Sequence, residues 1–297
     1  MARLTVAFLL ASLLGGTVAD NAAAQEPNDL PEAIKQELRE VLPPGIKPPL
    51  VGFAPSMSIV VERMLSLAEV TKDDFVLDLG SGDGRIPIAA ARARGARGLG
   101  IEIVPALVKR AKEKAKAAGV DNLVEFREAD LFKTSIQDAS VVMLYLPVAV
   151  NNLLRPRFLN ELTPGTRIVA HEFPMTEWPA DIVERINHRT IYLWIVPARV
   201  AGEWRVESQG KSFTISLSQD HQVVRGTAKI DGRAQPLKDI RLRGEAFDFA
   251  VELENGRYTH FHGRVAGGRI EPRDGASSPL TQTWHAARLK TGEEAGQ

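Results

Sequence analysis

The chain has 297 residues, 44% of them apolar and 25% charged, which is the balance of a globular protein and excludes a disordered or fibrous one. Lys plus Arg and Asp plus Glu both count 37, so no net charge favours nucleic acid or an anionic membrane. There is no cysteine, which removes disulfides, thiolate metal sites and a cysteine nucleophile together.

In chain order, Met1-Ala2-Arg3 gives a basic start to an apolar run, Leu4 to Leu14, that is too short to cross a bilayer. Small residues follow, with cleavage-like positions after Ala19 and Ala24. The pattern is that of a signal peptide over residues 1–24, and it predicts a periplasmic or secreted protein with no membrane span once the leader is removed. A cytoplasmic protein, with an uncleaved anchor or a misassigned start, is the alternative. Over residues 25–49 a short amphipathic helix is expected, with Ile34, Leu38 and Val41 at helical spacing, ending at Pro43-Pro44 in a proline-rich linker. Ser56 or Ser58 can then cap a helix that turns Ile59, Val60, Met64, Leu65 and Leu67 to a core.

Residues 50–198 alternate strand and helix: 75–79, 86–94, 98–103, 105–118, 124–129, 140–146, 148–162 and 167–173. Such alternation predicts an α/β fold, a doubly wound parallel sheet covered by helices, and apolar runs such as Val141-Val142-Met143-Leu144 fit central strands. Residues 182–186 and 190–196 around Asn187-His188 read as an antiparallel hairpin at one edge. After Pro197 the period becomes two, and eight short strands over residues 199–290 predict a separate small all-β barrel or sandwich before a tail at 291–297. Gly202-Glu203-Trp204 resembles the opening of a lipocalin-like barrel. His260 and His262 fall on one strand face, but no third ligand stands at fixed spacing, so a surface pair is expected and no metal site.

The chemistry concentrates where the strand Phe75–Leu79 empties into Gly80-Ser81-Gly82-Asp83-Gly84-Arg85. Glycines remove Cβ atoms from the turn and let the backbone itself face a ligand. A dinucleotide fingerprint would carry a third glycine where Arg85 stands, and Asp78 and Asp83 would repel a pyrophosphate, which disfavours an NAD dehydrogenase. A cationic nucleoside fits better. The acidic-x-G-x-G-x-G run resembles the first motif of the class I S-adenosylmethionine-dependent methyltransferases, and that resemblance implies a Rossmann-like sheet closed by an antiparallel strand. Glu102 ends the apolar strand 24 residues beyond Asp78, where a carboxylate can accept ribose hydroxyls. The resemblance further implies that Phe53, Asp78, Gly80, Ser81, Gly82, Gly84, Glu102, Ile103, Asp130 and Leu131 bind S-adenosylmethionine, with Asp130 on the adenine amine. Taken alone, Asp130 reads as a helix cap and Glu102 as a strand-end carboxylate.

The methyl acceptor is expected over the ends of the fourth and fifth strands, Leu144-Tyr145-Leu146-Pro147 and Ala170-His171-Glu172-Phe173-Pro174. The Asp/Asn-Pro-Pro-Tyr loop of amide and base methyltransferases is missing. Phe53-Ala54-Pro55, Asp78 to Arg85 and Glu172-Phe173-Pro174-Met175-Thr176-Glu177-Trp178-Pro179 resemble a lysine methyltransferase family acting on the c subunit of ATP synthase. That resemblance spans residues 50–198 and implies a protein substrate with a lysine amine as acceptor. The chain departs from it at Tyr145-Leu146, at His171-Glu172 and in the added β region. Tyr145, His171 and Glu172 are expected to position the acceptor. Export conflicts with a cofactor made from cytosolic ATP, so the second reading is an exported, non-catalytic binding or assembly protein that kept the fold.

Overall fold

A computed structural model describes residues 56–208, 210–254, 256–273 and 283–289. The leader, the expected helix at 31–42, Phe53 and the tail at 291–297 lie outside the described residues. No helix among the described residues is long and apolar enough to cross a membrane.

The described residues form one compact unit built on two sheets. The first comprises β1 (Phe75–Leu79), β2 (Arg97–Glu102), β3 (Val124–Glu128), β4 (Val141–Leu144), β5 (Arg167–His171), β6 (Ile182–Ile186) and β7 (Arg189–Ile195), in the order β3-β2-β1-β4-β5-β7-β6. The first five are parallel, whereas β7 runs antiparallel to β5 and to β6. This is the doubly wound α/β sheet that the alternation predicted, with the antiparallel hairpin at one edge. The β6–β7 hairpin turns on Asn187 (φ 46°) and His188 (φ 62°), the left-handed pair that a two-residue turn matched to strand twist needs.

Period-two alternation divides the core between the two faces. Leu77, Leu79, Val142 and Leu144 pack with Leu154 and Phe158 of α4 (Val148–Glu161). Val76, Val141 and Met143 pack on the opposite face with Val60, Met64 and Leu65 of α1 (Ser58–Leu67). At the β3 edge of the sheet, α2 (Arg85–Arg94) and α3 (Pro105–Ala117) bury Ile88, Ala91, Val108 and Ala111 around Phe126. The expected cap of α1 is not formed: Met57 occupies the N-cap position without a side-chain bond, and Ile59, expected inside, is exposed. At the amino ends of the strands, buried Asp74 accepts hydrogen bonds from Ser140 Oγ (2.7 Å) and Thr71 N (2.8 Å) and pairs with Arg167. That staple locks one edge of the sheet and leaves the carboxyl edge for chemistry.

The second sheet is all antiparallel, in the order β11-β10-β9-β8-β16-β15-β14-β13-β12: β8 (Gly202–Ser208), β9 (Lys211–Asp220), β10 (Val223–Ile230), β11 (Arg233–Pro236), β12 (Lys238–Arg243), β13 (Ala246–Glu254), β14 (Arg257–Ala266), β15 (Arg269–Pro272) and β16 (Trp284–Arg288). Its two ends are consecutive in sequence, and Leu237 N between them donates to Gly226 O of β10 (3.0 Å). The sheet therefore curls into a nearly closed barrel, with β11 added to the eight strands expected. Stacked Phe249 and Phe261 (4.8 Å) and Trp284 fill its interior, so it is a packed core. Trp204 lies under the Arg288 guanidinium (4.3 Å), and His260 and His262 sit side by side with His262 Nδ1 3.2 Å from Asp248 Oδ1. The barrel meets the first sheet through Trp178 Nε1 donating to Gln222 Oε1 (3.0 Å) and Ala198 N donating to Gly244 O (2.8 Å).

Gly100 of β2 lets Phe126 pack flat on the strand. A Cβ there would sit 2.5 Å from the Phe126 ring and 2.6 Å from Ser81 Oγ. Gly100→Ala should therefore cost about 1–3 kcal/mol in urea unfolding through overpacking. An unchanged midpoint would contradict the packing described.

Candidate active site at the carboxyl ends of the strands

The turn after β1 is tied to β2 by main chain. Gly80 N and Ser81 N both donate to Ile101 O (2.9 Å each), and Gly84 N donates to Ser81 O (2.9 Å). Gly80, Gly82 and Gly84 adopt φ of 78°, 54° and 76°, a region costly to any residue with a Cβ. Two of them also serve packing, which amends the expectation that all three glycines clear room for a ligand. A Cβ at Gly80 would meet Leu146 at 2.8 Å, and one at Gly84 would meet the Phe126 ring at 2.6 Å.

Glu102 braces the same turn. Its Oε2 accepts from Gly82 N (2.8 Å), and its Oε1 accepts from Ile103 N (2.8 Å) and Val104 N (3.0 Å). A carboxylate offers about four acceptor sites, so Oε2 keeps capacity for one hydroxyl.

Three carboxylates converge here, and the structure separates them. Asp83 is held by Arg85 (2.9 and 2.8 Å) and by Lys114, and despite its burial these cations pull its carboxyl down to about 2. Its charge is cancelled, so it does not act on a ligand as the sequence suggested. Asp78 is buried and accepts no hydrogen bond from the described residues. Burial, with Glu102 and Asp83 nearby, pushes its pKa up to about 8. Ser81 Oγ is likewise buried without a partner. An unpaired acid and an unpaired hydroxyl beside a bare main-chain turn suit a ligand carrying positive charge and hydrogen-bonding groups, as a sulfonium nucleoside does.

Asp130, after β3, is committed locally. Its Oδ1 accepts from Phe132 N (2.8 Å), and its carbonyl accepts from Lys133 N and Thr134 N (3.1 Å each), so it closes a turn; no helix follows, and the expected helix cap is not formed. Leu131 packs against the core beside it.

At the next two strand ends, the Tyr145 ring lies 4.1 Å from that of His171 and 5.9 Å from that of Phe173. His171 is 2% exposed, and its Nδ1 lies 2.8 Å from Ser56 Oγ while Nε2 has no partner. Burial lowers its pKa to about 4 and keeps the ring neutral. Glu172 has φ 68°, its Oε2 accepts from Thr190 N (3.2 Å), and Arg189 lies 3.9 Å away. The structure thus brings Tyr145, His171 and Glu172 together. Sequence reasoning missed Ser56, whose carbonyl also accepts from Arg85 Nη1 (2.8 Å), and it missed Phe173 and Asn151. An apolar cleft of 360 Å³ lies farther along the chain, lined by Pro174, Trp178, Tyr192 and Asp220.

Comparison with known proteins agrees with this geometry. A profile of the ANTKMT methyltransferase domain matches residues 78–182. A protein-lysine N-methyltransferase of Saccharolobus islandicus is 37% identical over 154 residues, covering 50% of this chain and 95% of that protein. The human lysine N-methyltransferase of the ATP synthase c subunit is 31% identical over 187 residues, covering 63% of this chain and 74% of that one. Among solved structures, an RNA methyltransferase from Salinibacter ruber bound to S-adenosyl-L-homocysteine shares 51% identity over 50% of this chain and 96% of its own, with a TM-score of 0.49.

Fold and site define a class I methyltransferase, an enzyme whose methyl donor is S-adenosylmethionine. The chain belongs to the family of these lysine N-methyltransferases.

Two buried titratable groups, one base and one acid, fix a pH dependence. Below pH 6.5 His171, neutral in the fold to about pH 4, loses stability as pH falls, because the unfolded chain takes up its proton. Asp78 acts oppositely: the fold keeps a proton that the unfolded chain releases, so stability falls as pH rises from about 4 to about 8. Between pH 6.5 and 8 Asp78 dominates. Melting temperatures of the ligand-free protein should drop across that window, and Asp78→Asn should flatten the slope; a slope equal to wild type would contradict the assignment.

Proposed function

We propose that this protein transfers methyl groups from S-adenosylmethionine to lysine side chains of a protein. The observation that carries the reading is the buried, donorless Asp78 facing the glycine turn and Glu102, with an aromatic mouth two strands away, in a chain belonging to the lysine N-methyltransferase family. No observation at the site favours a non-catalytic role.

The cofactor supplies an electrophilic methyl on a cationic sulfur. The chain's own part is binding and alignment. In this reading Asp78 turns its carboxylate to the ligand's positive charge, and Ser81 Oγ finds the partner it lacks. Glu102 Oε2 accepts a ribose hydroxyl, and Ile103, Asp130 and Leu131 border the base. Phe53 remains part of the proposal. A lysine amine has a free pKa of about 10.4 and must lose its proton before it can attack. Desolvation beside Tyr145 and Phe173 favours the neutral amine, and Glu172, whose charge acts on the Tyr145 hydroxyl, is the carboxylate assigned to hold it. With its pKa near 4, His171 is a poor base at neutral pH and supports the Tyr145 ring instead. Most of the rate then comes from holding the amine in line with the methyl.

The test uses the purified chain, labelled S-adenosylmethionine and protein from a host strain lacking the gene, followed by mass spectrometry of the hydrolysate. Methyl-lysine is expected. Label in nucleosides with none in lysine would overturn the reading. Glu102→Ala should weaken cofactor binding at least roughly 10- to 100-fold in calorimetry, since it removes the ribose hydrogen bond together with the three N–H bonds that brace the turn. Unchanged affinity would remove Glu102 from the site.

A further inference from the structure

Asn151 is an amide with 0% exposure in the first turn of α4, where an aliphatic residue would be the ordinary choice. Its Nδ2 donates both hydrogens, to Leu146 O (3.0 Å) and to Phe173 O (2.8 Å). Two carbonyl acceptors fix the amide's orientation, since a flip would set Oδ1 against both. Oδ1 itself is buried with no donor, a cost that a leucine would avoid. Packing alone therefore does not account for the residue.

What the two bonds join does. The β4–β5 pairing ends at Leu144 opposite Ala170, so beyond that point the two chains separate toward the mouth. Among the described residues, Asn151 is the hydrogen-bonded bridge between segments 145–147 and 171–174. One bond holds the residue after Tyr145, and the other holds Phe173 itself. The bridge thus sets the spacing of the Tyr145 and Phe173 rings, 5.9 Å apart and inclined by 18°. Farther along, Thr176 N donates to Asn152 Oδ1 (2.8 Å), so the second segment stays anchored to α4 without Asn151.

We propose that Asn151 is a positioning residue that holds the two strand-end segments at the ring spacing required by the methylene chain and amine of an acceptor lysine. The inference rests on the lysine reading above and adds the residue that shapes its mouth. Asn151 touches neither cofactor nor amine and acts through Tyr145 and Phe173.

Asn151→Leu keeps the heavy-atom count and the branch at Cγ, though its methyls are bulkier, deletes both donors and removes the orphaned acceptor. With poly-L-lysine and the host acceptor protein as substrates, the variant should keep its cofactor affinity within twofold. Its kcat/KM for the acceptor should fall at least tenfold, with products shifted toward fewer methyl groups per lysine. In protein labelled with 3-fluorotyrosine, which has only three tyrosines to resolve, the Tyr145 resonance, assigned by Tyr145→Phe, should move or broaden while those of Tyr192 and Tyr258 stay. An unmoved Tyr145 signal, or unaltered acceptor kinetics in a variant that binds cofactor, would overturn the proposal, as would a parallel loss of cofactor affinity. If the Tyr145 signal moves but wild type methylates no lysine, the functional reading fails while the bridge stands.

Discussion

The site depends on a carboxylate at the end of one strand holding the main chain of the turn after its neighbour. Glu102 takes the Gly82 N–H on one oxygen and the Ile103 and Val104 N–H groups on the other, and the Ile101 carbonyl takes Gly80 and Ser81. A glycine turn with three positive φ angles has little conformational preference of its own. Hydrogen bonds from a rigid parallel pair give it one shape, and that shape places the ligand-facing backbone before any ligand arrives.

Charge is distributed with the same economy. At the amino edge of the sheet Asp74 has a guanidinium, a hydroxyl and an N–H as partners, and its carboxyl is held below the usual range although burial works against it. At the carboxyl edge Asp83 is neutralised by Arg85 and Lys114, but Asp78 has nothing. A buried acid left without donors is unfavourable unless a cation or proton completes it. That asymmetry separates a site waiting for a positively charged nucleoside from one built for phosphates, which would call for the opposite sign.

The mouth over the fourth and fifth strands is assembled from distant segments. His171 reaches Ser56, 115 residues earlier in the chain, and the carbonyl of Ser56 is in turn held by Arg85 directly after the glycine turn. Ser56, two residues before α1, is thus pinned to both halves of the site. The barrel contacts the first sheet through Trp178, Gln222 and the Gly165–Gly244 approach, and its Asp220 lines the apolar cleft with Pro174 and Trp178.

The sequence by itself determined the order and type of the elements, because period-two and helical spacing record which face each residue buries. Val141 to Leu144 read as a central strand and are one, and Asn187-His188 read as a hairpin turn and form it. It also marked Asp78, the glycine turn and Glu102, since these lie close together in the chain and their chemistry follows from spacing. The pairings between remote residues were beyond it. Nothing in the run around Ser56 distinguishes a helix cap from a partner of His171, Asn151 looks like any helical amide, and Asp83 reads as a free acid until Lys114 of a different helix is brought to it. Strand β11 was missed because its short, mostly exposed run lacks the alternation of a strand with one buried face; its partner is its neighbour β10, across the turn at Asp231-Gly232. Local pattern specifies what a segment becomes, whereas side chains that meet across the fold acquire their roles only when packing fixes their distances, and in this protein those distances separate the neutralised acid from the waiting one.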